Sequence, residues 1–172
     1  TRAAGPGSYS RITPFNGNWM LLEPSSDTIY TLMPDCSLRP FIARTPPIHT
    51  MDPEVFLIPR LISNRYYFME GIKNVYDFRK EEGFPKTYFV YDTQEKEFSR
   101  YIIYNGDYTS KNEFYMVMLT PINAQGESWA TLNAFDLCRD YQKGKLKGKL
   151  KEVAATLEED DNRVVMLVKS KK

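Results

Sequence analysis

The chain has 172 residues, enough for one domain with a hydrophobic core. Its 23 basic and 22 acidic residues leave a net charge of +1, which excludes a general attraction to nucleic acid or anionic membrane. No apolar run approaches the ~20 residues of a membrane helix, and no signal peptide is present. The first residue is Thr1 rather than Met, which reads as a processed or truncated start.

Taken in order, Thr1–Ser8 is small, polar and glycine-rich and reads as a disordered or frayed end. Arg11–Phe15 reads as a short strand, and Asn16-Gly17 is a hairpin turn signal. Asn18–Glu23, Asp27–Met33 and Leu38–Arg44 follow as strands of an antiparallel meander, with a turn at Pro34–Ser37. Pro46, Pro47 and Pro53 make Thr45–Pro53 a loop, because proline lacks the donor a ladder needs. Glu54–Ser63 and Arg65–Ile72 are strands around Asn64, and Lys73–Pro85 is a polar surface bulge. Within Lys86–Asn105, Thr87–Tyr91 and Phe98–Tyr104 are aromatic and β-branched, flanking a polar turn at Asp92–Lys96. They complete a four-strand unit.

Gly106–Asn112 reads as a loop and Glu113–Thr120 as another strand. The composition then turns helical over Trp129–Leu157. Leu146, Leu150, Val153, Ala154 and Leu157 form a narrow apolar stripe. Gly144 and Gly148 predict two helices joined near Lys143. The acidic run Glu158–Asn162 opposes the helix dipole and predicts a turn. Arg163–Val168 is a last strand, apolar on both faces and therefore expected to be buried.

A weak repeat ties these elements together. The hairpin at Thr28–Arg44 echoes Lys86–Asn105, with Thr28 matching Thr87, Tyr30 matching Phe89 and Phe41 matching Tyr101. The fold class expected is mainly β: antiparallel, four-stranded, blade-like meanders forming a partial β-propeller, with a helical insertion at about residues 129–158 before the last strand. Residues 9–172 form one such domain of about three blades. The alternatives are one curved sheet or partial barrel with a helix across it, and a lipocalin-like barrel for an apolar ligand.

No chemical motif stands out. His49, Cys36 and Cys138 lack the paired spacing of a zinc site, and His49 has neither a G-x-S-x-G partner nor a nearby cysteine for nucleophilic chemistry. Cys36 and Cys138 are read as two separate thiols; one bridge is the alternative for an exported protein. Glu81-Glu82, Glu158-Glu159 and Asp160-Asp161 are adjacent acids expected on solvated turns. Asp160, Asp161 and Asn162 lack the spacing of a calcium loop. No phosphate loop occurs, Gly106 and Gly126 being isolated. Lys143, Lys145, Lys147, Lys149 and Lys151 do not share one helix face, so no nucleic-acid partner is expected. Catalytic, cofactor and metal residues are therefore assigned to none. Trp19, Tyr66, Tyr67, Tyr88, Tyr91, Tyr101, Tyr104 and Trp129 could line a ligand or protein surface, and packing between sheets is the expected role for each.

Two segments carry a family resemblance. Leu157–Lys172, LEEDDNRVVMLVKSKK, resembles the terminal signature of exported six-bladed β-propeller proteins of Bacteroides-type bacteria: a lysine-rich helix, an acidic run, an Asn, then an apolar strand ending in Lys. Arg163 stands where that family usually has Pro. Ser26–Arg44 is similar to the family's D-T-I-Y hairpin and Pro-aromatic strand. The resemblance runs from about Asn18 to the C-terminus. It implies a propeller half, since members are commonly about twice as long, and it implies a periplasmic or cell-surface location, with lipoprotein attachment as one form. Two copies pairing to complete a ring is the homodimer it suggests. The function expected is a non-enzymatic binding or scaffold module of the cell envelope with a protein or glycan ligand. The alternative is the C-terminal half of a propeller hydrolase or lyase whose catalytic site lies in an N-terminal half.

Overall fold

A computed structural model describes residues 12–79, 84–123 and 127–169. The expectations for Thr1–Ser8, Glu81-Glu82 and Gly126 lie outside the described residues. The chain divides into two compact units, Thr1–Tyr101 with Pro121–Gly126, and Ile102–Thr120 with Glu127–Lys172.

The first unit holds two antiparallel sheets. In one, β1 (Ile12–Phe15), β2 (Asn18–Leu21), β3 (Thr28–Leu32) and β4 (Leu38–Ala43) lie in chain order. The other has β5 (Val55–Ile62), β6 (Tyr66–Lys73), β7 (Lys86–Asp92) and β8 (Glu97–Arg100), again in chain order. The strand β1 thus makes the first meander four-stranded. Local chemistry sets the turns. Asn16 and Gly17 both take positive φ, 48° and 72°, which suits the twist of a two-residue hairpin. Asp92 accepts from the backbone N–H of Gln94 at 2.9 Å and so closes the β7–β8 turn. Gly71 leaves room that no other residue could: a Cβ there would stand 2.9 Å from the Phe89 ring.

The core of this unit lies between the sheets. Phe15, Met20, Leu22 and Ile29 from the first meander meet Ile58, Ile62 and Ile72 from the second. The Phe41 ring joins the two layers, 4.8 Å from Phe15 and 5.4 Å from Tyr67. Each such side chain contributes about 1.5–3 kcal/mol on burial. The echoed hairpins β3–β4 and β7–β8 hold the same place, third and fourth strand of their sheets.

The third sheet is three-stranded, with β9 (Thr120–Pro121), β10 (Ser128–Leu132) and β11 (Val164–Val168) in the order β11-β10-β9. Helices α1 (Ala134–Gln142) and α2 (Gly148–Ala154) stand between β10 and β11 in sequence. Asn133 caps α1, its Oδ1 accepting from Phe135 N at 2.9 Å. The start of α2 is held by Asp107, whose carboxylate accepts from Leu150 N at 3.2 Å and whose carbonyl accepts from Lys147 N at 2.8 Å. Gly148 sits at φ +56° with Asp107 beside it, where a side chain would be strained. Leu137, Leu146, Leu150 and Ala154 form a small core.

The fold class is as expected: mainly antiparallel β, with two helices before the last strand and, among the described residues, no sheet closed into a barrel. Four expectations are corrected. Glu113–Thr120 is not a strand; Met116–Met118 forms a 3-10 turn, which buries Met116 and Leu119 three residues apart and exposes Tyr115, Val117 and Met118. The stretch after Trp129 is not helical from its start, because Ser128–Leu132 pairs with β11 and the Asn133 cap begins the helix only afterwards. The strand after the Asp92–Lys96 turn stops at Arg100 rather than Tyr104. β11 is not buried on both faces, as Val165 and Leu167 are exposed.

Candidate functional site

The residues singled out for chemistry do not converge. His49 lies in the 3-10 turn Ile48–Thr50, exposed, with Nδ1 4.0 Å from Asp27 Oδ2. Cys36 is an exposed thiol at the Pro34–Ser37 turn, and Cys138 is a buried thiol on α1 in the other unit. Burial raises the Cys138 thiol above its ordinary value, with Glu159 and Asp161 adding, so it stays protonated. Glu158–Asp161 is the predicted turn, closed by Asp161 Oδ2 accepting from Glu158 N at 2.8 Å. Among the lysines, Lys149 pairs with Glu152 at 3.0 Å and Lys145 with Asp140 at 3.3 Å. Asp27, the acid of the D-T-I-Y segment, is structural: its carboxylate accepts from Ile48 N at 2.5 Å and its carbonyl from Arg44 N at 2.9 Å.

A buried charge cluster escaped the sequence reading. Glu70 on β6 is 0% exposed. Arg60 on β5 donates to its Oε2 from Nε at 2.6 Å and from a second guanidinium nitrogen. Lys86 Nζ stands 3.0 Å from Oε1, an ion pair at an angle that leaves Oε1 without a hydrogen bond. Burial, and then the nearby Glu70 charge, raise the Tyr101 hydroxyl above its ordinary pKa. Two cations answer one carboxylate across three strands, which is a clamp for the sheet. The signal was available: one acid inside the apolar run Tyr66–Ile72, opposite strands bearing Arg60 and Lys86.

In the second unit a cleft of about 510 Å³ is walled by Tyr108, Asn112, Asp136, Arg139, Asp140 and Arg163. Its charges are largely satisfied internally. Asp140 accepts from the Tyr108 hydroxyl at 3.2 Å and pairs with Lys145, while Arg139 pairs with Asp136 at 3.0 Å. Burial, then Asp140, raises the Tyr108 hydroxyl above its ordinary value and keeps it a donor. These groups join α1 to the loop before it.

The aromatics divide instead into packed and open. Tyr66, Tyr67, Tyr88, Tyr91 and Tyr101 are ring partners inside the second sheet, with centroid separations of 5.2–6.1 Å to their neighbours there. Trp19 and Trp129 are open, at 49% and 38% exposure. Strand register shows what surrounds Trp19. Pro14 faces Trp19, Trp19 faces Leu32, and Leu32 faces Leu38; Ile12 faces Leu21, Leu21 faces Tyr30, and Tyr30 faces Pro40. Opposed residues share a face, so the outer side of the first sheet gathers eight apolar or aromatic residues, with Thr28 beside Tyr30, and carries no charge among the described residues. None of the eight is buried, and Ile12 and Leu38 are 54% and 52% exposed. A cleft of about 550 Å³ continues this face past Pro14 and Trp19 to Ile122 and Asn123.

The last sheet repeats the arrangement. Trp129 faces Leu167 and Thr131 faces Val165, with Val165 60% and Leu167 63% exposed. The Glu127–Lys169 ion pair, 2.9 Å, borders this patch. The edges of the sheets add a second asymmetry. Proline blunts β1 (Pro14), β4 (Pro40), β5 (Pro59) and β9 (Pro121), and Glu97 and Arg100 guard β8. Among the described edge strands β11 alone carries neither proline nor charge within Val164–Val168.

No protein-family model matches the chain, and no curated protein matches it. Among solved structures the chain is similar to a protein of Bacteroides fragilis described as a supposed exported protein. The two are 14% identical with a TM-score of 0.58, over 94% of this chain and 49% of that one. The chain therefore spans about half the length of this neighbour. At this identity the likeness is one of fold. A supposed exported protein of Bacteroides fragilis thus shares the fold.

Proposed function

We infer that this protein is a non-enzymatic binding or scaffold module that works outside the cytoplasm, and that its ligand is a protein rather than a glycan. The observation that carries this reading is the outer face of the first sheet, eight apolar side chains in register around Trp19. Scattered apolar residues are ordinary on a surface, but a contiguous uncharged patch marks an interaction site. Glycan sites combine an aromatic ring with several convergent polar groups, whereas aliphatic, proline and aromatic side chains dominate this face, with Thr28 and the Tyr30 hydroxyl as its polar groups and the asparagines of the adjoining cleft at its border. A charge-free, tryptophan-centred surface suits a protein partner. The exported description of the Bacteroides fragilis neighbour supports an extracytoplasmic setting.

The test has two parts. An environment-sensitive apolar dye is expected to bind the protein, with binding reduced in Trp19→Asp; equal binding by both proteins contradicts the assignment of the face. A panel of sugars, lactones and peptides is expected to pass unchanged, and robust turnover of any one overturns the non-enzymatic reading.

A further inference from the structure

We propose that the cleft of the second unit binds a small organic carboxylate with an apolar body, held by Arg163. The site is separate from the open face of the first sheet and does not rest on its role. The whole cleft lies within one unit, walled by side chains from residues 105–118, from the start of α1 and from the position just before β11. Its volume, about 510 Å³, is that of a small-ligand site. Its charged walls are answered locally with one exception. Asp136 pairs with Arg139 at 3.0 Å, and Asp140 pairs with Lys145 and accepts from the Tyr108 hydroxyl. Glu113 accepts from the Tyr115 hydroxyl at 2.6 Å. Arg163 alone among the charged lining residues has neither an ion pair nor a side-chain hydrogen bond among the described residues.

The amides that share the cleft with Arg163 add donors. Asn133 commits its Oδ1 to the cap of α1, and Asn105 commits its Oδ1 to the Asp107 N–H at 3.0 Å. Each therefore has only its NH2 group left to offer. The Asn112 side chain, also on the wall, has no hydrogen bond among the described residues. A guanidinium beside amide donors selects an anion rich in acceptors. The guanidinium fork matches a planar carboxylate through two parallel N–H···O bonds. A dianion such as phosphate fits less well, because its second charge would meet Glu113, Asp136 and Asp140 on the same walls. Phe114, Met118, Leu132 and the buried Leu137 complete the lining and give the rest of the ligand an apolar surface to cover.

Isothermal titration calorimetry of the whole chain with 3-phenylpropionate and with octanoate tests this. Saturable binding of at least one of the two is expected. Arg163→Gln should weaken it about tenfold or more, the loss that follows when a charge-assisted pair is removed. The neutral amide of the same acid should bind the wild type more weakly by about the same factor. Arg163 is exposed, so unchanged circular dichroism should accompany the variant's loss. Trp19→Asp, in the other unit, should leave the binding as it is. No saturable binding of either acid overturns the proposal. So does binding that Arg163→Gln leaves unchanged, equal binding of acid and amide, tighter binding of inorganic phosphate, or binding that Trp19→Asp removes. The apolar dye reads Trp19 independently, so a failure in the cleft leaves the protein-binding reading to its own test.

Discussion

β6 and β2 are both interior strands of four-stranded meanders, and both are apolar on alternate sides, yet they meet water differently. In β6, Met69 and Gly71 on one side and Glu70 and Ile72 on the other are all buried. In β2, Met20 is buried while Trp19, adjacent in sequence and on the opposite side, is half exposed. Both strands have the residues of a doubly covered sheet. Only one has its covering. The difference shows that apolar pattern sets what a face can hold, and that neighbouring mass decides whether it is held.

The largest effect is expected where β6 is most enclosed. Glu70→Ala strands the Arg60 guanidinium beside an apolar core and should cost about 3–5 kcal/mol in urea unfolding, with Glu70→Gln intermediate. Loss below ~1 kcal/mol would mean water reaches the cluster and the contrast with β2 is overstated. Next come the two sides of β2. Met20→Ala should cost about 2–5 kcal/mol at any protein concentration. Trp19→Ala should cost under ~1 kcal/mol, because its ring already meets solvent. Gly71→Ala should fall between Met20→Ala and Trp19→Ala. The added Cβ would press on the Phe89 ring at 2.9 Å, and overpacking of this kind costs about 1–3 kcal/mol.

The smallest effect is electrostatic and sits at the end of the second sheet. Hydrogen bonds from Arg65, and then the Gln94 and Glu95 amides, hold the Asp92 carboxyl below its ordinary value. A group whose folded pKa is depressed contributes stability above its unfolded value of ~3.9 and loses it as pH falls through the lower folded value. The urea midpoint of the wild type should therefore fall on acidification through that window, and Arg65→Ala should flatten the fall. Identical acid limbs in the two proteins would remove this pair from the account.

Much of the fold was legible. The aromatic, β-branched hairpins, the Asn16-Gly17 turn and the split helix at Gly144 all follow local rules, and each is found. The errors have particular causes. Glu113–Thr120 has strand composition but no alternation, and a three-residue period buries Met116 and Leu119 instead. Trp129 was drawn into the helical region by the Ala and Leu around it, although its pairing partner Leu167 lies far along the chain, and such long-range pairing is absent from local composition. Val164–Val168 was read as buried because both sides are apolar, the same pattern that misleads at β2. The candidate site was half legible: Trp19 and Trp129 were named, but their faces emerged only from register. Glu70 is a single acid whose partners are the cations of neighbouring strands, so no acidic pair marks it in the sequence.

The central claim is that these faces stand open in the isolated chain, available to a protein partner, and the chain carries its own reporters. Its only two tryptophans, Trp19 and Trp129, stand one on each face. Acrylamide quenching of intrinsic fluorescence in dilute protein reads both at once. The account predicts strong quenching and red-shifted emission. Weak quenching with blue-shifted emission would contradict it.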